Sequence, residues 1–222
     1  MRATTLPASA ESGRFAPAAL VFCITALGVG IAALPVGAGV ASATPTAKPR
    51  VTLIGDSIAA SFDYVASARR YLGRGLDLRS DAVVCRRLVA PSCVFQGAQP
   101  ATALEVVRSR GGALGPVVVV NVGYNDWAAV YDVDRVMRAL EAAGVRTVVW
   151  VTLRETTSNY AQNNTAIRKA TRRWRNLAVA DWNSYSNGKP WFRSDGLHLT
   201  TAGAAGLSRL LRPLVLAGVN GS

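Results

Sequence analysis

The sequence predicts an α/β domain, a three-layer sandwich in which helices cover both faces of about five parallel strands. Three observations predict it. Short runs rich in Val, Ile and Thr alternate with longer amphipathic runs, the strand–helix rhythm of a parallel sheet. Two of the short runs, "VVVV" and "TVVWV", are apolar at every or nearly every position, so both faces of those strands need covering. The chain has 222 residues, 50% of them hydrophobic, which suits one core, not two.

In chain order, the first stretch stands apart from the domain. Arg2 and Arg14 precede a charge-free apolar run over 15–40. "ASA" (41–43) follows, with small residues where a signal peptidase cuts. Residues 1–43 are therefore expected to be a signal peptide, with a membrane anchor as the alternative, since the run is just long enough to span a bilayer. Pro17, Pro35 and several glycines weaken it as an anchor. Residues 44–50 form a linker and 51–222 the domain. Either reading puts the domain outside the cytoplasm, secreted or at the cell envelope.

Strands are expected at 51–55, 78–84, 117–123, 145–153 and 177–182. Helices are expected at about 57–72, 101–112, 132–143, 161–175 and 201–217. The third shows the pattern best. In "VDRVMRALEAAG", Val133, Val136, Met137 and Leu140 share one face, and Gly144 stands where a helix stops. Cys23 lies in the export segment, and Phe22 before it denies a lipidation motif. Cys85 and Cys93 remain; an even pair in an exported domain suggests a disulfide, two free buried thiols being the alternative. No CxxC or Cys/His spacing is present, so no metal is expected.

Charge excludes less than it suggests. Lys+Arg 25 against Asp+Glu 13 gives +12. The arginines are scattered, with pairs but no long basic run, and no nucleic-acid-binding motif accompanies them. A basic surface facing an anionic envelope is expected, and no nucleic-acid partner.

Ligands of open parallel sheets bind where carboxyl ends of strands meet loops, so those loops carry the chemistry. The first strand runs into "GDSIAASF". Gly55 permits a tight turn, and Ser57 falls at a helix start, as an N-cap or as a nucleophile beside backbone donors. Asp56 adjoins it and reads as structural. The third strand ends in "NVGYND". Asn125 there offers an uncharged N–H₂ donor suited to an oxyanion, or forms an Asx-turn. The last loop carries "SDGLHLT", with the chain's 1 histidine, His198, three residues after Asp195. A carboxylate beside an imidazole fixes its tautomer and stabilises its protonated form.

"IGDSIAASF", "NVGYND" and "SDGLHLT", in this order, resemble blocks I, III and V of the SGNH hydrolases, the GDSL esterase/lipase superfamily, in the manner of an exported, actinobacterial-type member. The resemblance spans 51 to about 216. It implies a flavodoxin-like sandwich, with Ser57 as nucleophile, His198 as base and Asp195 orienting it. The implied oxyanion donors are the Ser57 N–H, the Asn125 side chain and a backbone N–H from block II. There the chain departs from the family, which has a glycine soon after the second strand. Cys85 stands at that position; Gly97 is the other candidate and the one preferred, carried to the site if Cys85 and Cys93 are bonded.

The implied activity is cleavage of carboxylic esters without a cofactor. A non-catalytic glycan-binding module and an O-acyltransferase on envelope glycans are the alternatives. Arg154, Tyr160 and Asn164 follow the fourth strand and are candidate substrate contacts, helix capping and surface polarity being the plainer readings. Trp182, Tyr185, Trp191 and Phe192 either bind a sugar or acyl chain or pack the long loop before Asp195. The expected partner is a small-molecule, lipid or glycan ester, bound by a monomer.

Overall fold

The computed structural model describes residues 47–221. The expected signal peptide, Cys23 and the first part of the linker lie outside the described residues. Five strands form one parallel sheet: β1 (Arg50–Gly55), β2 (Asp77–Ala82), β3 (Val117–Asn121), β4 (Thr147–Val151) and β5 (Leu177–Ala180). Their spatial order is β2-β1-β3-β4-β5, all neighbours parallel. The fold class expected from the sequence is the one observed.

Seven helices accompany the strands among the described residues: α1 (Ser61–Tyr64), α2 (Ala66–Gly73), α3 (Ala103–Arg110), α4 (Val133–Ala142), α5 (Ser158–Ala170), α6 (Trp182–Ser186) and α7 (Thr201–Asn220). They divide between two apolar layers. Alternate strand residues Val51, Leu53, Val117, Val119, Val149 and Val151 join the cores of α1, α2 and α7. Their neighbours Ile54, Val118, Val120, Val148 and Trp150 join those of α3, α4 and α5. All of β3 is buried, as its unbroken valine run requires. α7 is long and apolar enough to cross a bilayer, yet Ala204, Leu207, Leu211 and Val215 are fully buried against the sheet side, as in a core helix.

The order reverses at β1: the chain goes from β1 out to β2, then returns to β3 on β1's other side. Right-handed crossovers then place α1–α2 and α3 on opposite faces and leave a crevice between the ends of β1 and β3. The two segments after these strands are stitched together there. Asp56 N–H donates to Asn121 O (3.0 Å), and the Asp56 carboxylate accepts from Gly123 N (3.1 Å) and Tyr124 N (3.2 Å).

Candidate active site

Ser57 stands in a turn, not in a helix proper. Ala60 N donates to Asp56 O (3.1 Å), closing one helical turn, and α1 begins only at Ser61. Gly55 is needed for packing: a Cβ there would lie 2.1 Å from the Ala59 Cβ. The fully buried Asp56 also accepts from Ile58 N (3.0 Å), so its side chain points into the backbone and away from the serine hydroxyl. Burial pushes its carboxyl up to about 6, even though three N–H donors pull the other way.

His198 comes from the loop before α7. Its Nε2 lies 3.1 Å from Ser57 Oγ, and its Nδ1 2.8 Å from Asp195 Oδ2. The other Asp195 oxygen accepts from Leu197 N (2.8 Å) and His198 N (2.9 Å), a turn that Gly196 closes at φ +68°. The Leu197 N–H, the imidazole and the His198 N–H together hold the Asp195 carboxyl down at about 2. It is therefore ionised at neutral pH and only accepts. That puts the imidazole proton on Nδ1 and leaves the Nε2 lone pair facing the serine O–H.

The loop is built to stay in place. Arg193 N donates to His198 O (2.7 Å), and Thr200 N to Trp191 O (2.9 Å). The Trp191 ring lies over Gly206 of α7, where a Cβ would come within 2.7 Å of it. Trp191 also stacks on the buried Trp182 at 5.7 Å, with Tyr185 and Phe192 around the pair. Of the two readings of these aromatics, the structure gives loop packing.

Asn125 is half-buried. Its Nδ2 donates one hydrogen to Arg86 O (3.2 Å), leaving the second free, while Arg87 Nε donates to Asn125 O (2.7 Å). Asp126 beside it accepts from Leu88 N through both oxygens (3.0 and 3.1 Å). Burial lifts its carboxyl to about 7. The segment after β2 is thus bonded to the loop after β3. It is also bonded to β1: Val83 N donates to Gly55 O (3.1 Å), and so does Arg86 Nη1 (3.5 Å).

Gly97 is the preferred block II donor of the two expected. It lies exposed in the turn 95–98, closed by a Phe95–Ala98 bridge, and an added Cβ would meet nothing within 4 Å. The disulfide Cys85–Cys93 does form. Cys85 itself holds φ +70°, the conformation a glycine would adopt freely. Neither the Ser57 N–H nor the Cys85 N–H has a hydrogen-bond partner among the described residues. With the second Asn125 hydrogen, three donors stand unspent on the segments after β1, β2 and β3.

The three expected substrate contacts do not face a ligand in the same way. Asn164 is buried, and its amide is spent: Oδ1 accepts from Leu153 N (2.7 Å), and Nδ2 donates to Leu153 O (2.7 Å) and Glu155 Oε1 (2.8 Å). It braces the loop after β4 and has no hydrogen left for a substrate. Tyr160 donates to Tyr124 O (3.2 Å), beneath the Asn125 loop. Arg154 donates from Nη1 to Gly196 O and lies 4.0 Å over the Phe192 ring, clamping the histidine loop. Sequence reasoning missed Arg86. It is buried, pairs with Asp81 (2.8 Å), and supplies the carbonyl that holds Asn125. One arginine of a scattered pair carries no local signal of that role. A groove of about 750 Å³ beside α4 and α5, lined in part by Val130, Asp134 and Lys169, includes none of Ser57, Asn125, Asp195 and His198.

No protein-family model matches the chain, and no curated protein matches it in sequence. Solved structures do. TesA superposes with a TM-score of 0.53 at 15% identity, over 76% of this chain and 99% of that one. The esterase EstA from Pseudoalteromonas sp., described as inhibited by monoethylphosphonate, gives 0.54 at 11% identity, over 78% and 99%. A family 3 carbohydrate esterase from Clostridium thermocellum gives 0.52 at 12% identity, over 78% and 98%. At these identities the likeness is one of fold.

Proposed function

We propose that this chain, which has the fold of those esterases, is an exported serine hydrolase that cleaves carboxylic esters through a covalent acyl-enzyme. One observation carries the reading: a single imidazole lies 3.1 Å from a serine hydroxyl and 2.8 Å from a carboxylate held ionised. His198 Nε2 takes the Ser57 proton as Oγ bonds to the ester carbonyl carbon. The carbonyl oxygen becomes an anion, met by the Ser57 N–H, the Cys85 N–H and the Asn125 amide. The imidazolium then gives its proton to the alkoxide as the C–O bond breaks, and the alcohol leaves. Water, activated by the same nitrogen, attacks the acyl-enzyme and frees the acid and Ser57.

The substrate we infer has an apolar acyl part. Val83 and Trp127 are exposed, each two residues from Cys85 or Asn125, and exposed apolar side chains beside a site favour an apolar ligand. An envelope glycan O-acyl ester and a lipid ester both meet that description. Export is supported by the Cys85–Cys93 bond, which persists in oxidising compartments. Residues 1–43 would act as the signal peptide, so N-terminal sequencing of the exported protein is expected to begin at residue 44.

Hydrolysis of p-nitrophenyl acetate and butyrate by the purified domain tests the activity. Wild type is expected to turn over both, and His198→Ala to lose turnover while keeping its melting temperature. Unchanged rates in His198→Ala would overturn the role given to that ring.

A further inference from the structure

A cysteine occupies the place where a left-handed backbone is needed, and that cysteine is cross-linked. Cys85 sits at φ +70°, a conformation residues with a Cβ seldom adopt outside special contexts. Its sulfur is bonded to Cys93, whose N–H donates back to the Cys85 carbonyl (3.3 Å). The ring closed by these two links fixes the Cys85 backbone from its side chain and from its own C=O. On one side, Val83 N is bonded to Gly55 O, two residues before Ser57. On the other, Arg86 O holds the Asn125 amide and Arg87 Nε holds the Asn125 carbonyl. Cys85 thus stands between the two segments that carry the remaining oxyanion donors, with its own N–H unpartnered among the described residues.

We propose that the Cys85–Cys93 disulfide is a positioning device for the oxyanion-binding donors. The cross-link holds Cys85 in the left-handed conformation that glycine would reach without help. This keeps its N–H turned out of the backbone network and keeps the Arg86 carbonyl against Asn125. The inference rests on the hydrolase reading above. It makes two statements that reading does not need: the bond acts on catalysis apart from stability, and glycine can replace it.

Two double variants that both lack the disulfide test it: Cys85→Ala with Cys93→Ala, and Cys85→Gly with Cys93→Ala. Loss of the loop tether is common to both, so any purely stabilising role affects them alike. They differ only in the Cβ at position 85. The alanine pair is expected to lower kcat on p-nitrophenyl acetate by on the order of 10²–10³, the cost of losing one donor, with KM unchanged as for an interaction made in the transition state. The glycine pair is expected to recover most of that loss at the same melting temperature or below. Equal activity of the two variants, whether both near wild type or both equally impaired, overturns the assignment. A wild-type chain that hydrolyses no ester and reacts with no phosphonate overturns the hydrolase reading itself, and this assignment with it.

Discussion

Asp195 shows what a single side chain decides. Its two oxygens take two backbone N–H groups and one imidazole, so it both shapes the loop and selects the His198 tautomer. Asp195→Asn keeps the shape but offers an amide hydrogen where an acceptor is needed, which moves the His198 proton from Nδ1 to Nε2. On the order of 10⁴ in kcat is expected to be lost, with little change in KM; steady-state kinetics at pH 8 check this. A loss below tenfold would mean that the carboxylate is not the group orienting the ring. The grouping of Ser57, His198 and Asp195, which the structure brings together, is legible in the sequence because each sits in a short motif at a strand end. The bonds that Asn164 and Arg86 make, and the positive φ of Cys85, have no signal there, because they depend on partners distant in the chain or on backbone angles. The Arg86 carbonyl meets Asn125 39 residues away, and no local pattern encodes that contact.

At the scale of the element, loop 191–200 and α7 act together. Gly206 has no room for a Cβ beneath the Trp191 ring, so α7 fixes the height at which the loop crosses it. Gly206→Ala is expected to cost about 1–3 kcal/mol from overpacking, lowering the melting temperature by several degrees. It should also displace His198 and cut kcat, which calorimetry and ester turnover would measure together. A melting temperature equal to wild type would show that the Trp191 ring moves aside freely. Strands were readable because β3 and β4 are apolar at successive positions, although each is shorter than the apolar run containing it. The first expected helix, 57–72, is instead a turn and two helices, since Val65 leaves helical geometry at φ −107°, ψ 78°. Its sequence is ordinary for a helix; Val65 is buried in the same core layer as Phe62, Ala68 and Leu72.

Over the whole molecule, the crevice between β1 and β3 has buried two carboxyls, and their titration is a property of the fold. Asp56 and Asp126 are pushed up by burial to about 6 and about 7. A carboxyl whose folded value is raised binds its proton more tightly when folded. Its contribution to stability is therefore full below about pH 4 and is lost as pH rises through 6 and 7. Asp195, held down at about 2, acts in the opposite sense, with its contribution lost as pH falls toward 2. Asp126→Asn retains an acceptor for Leu88 N–H and removes the buried charge. It is expected to flatten the fall in urea midpoint between pH 4.5 and 7.5, and a slope equal to wild type would place the cause elsewhere. The parallel order of five strands followed from the sequence rhythm, whereas the meeting of side chains 141 residues apart follows only from the order in which those strands lie side by side. That meeting is the central claim, and covalent labelling with a fluorophosphonate probe, mapped by mass spectrometry, tests it most directly. The geometry predicts one adduct, on Ser57, formed by the wild type and sharply slowed in His198→Ala; a folded wild-type chain that takes up no probe, or takes it up elsewhere, would contradict it.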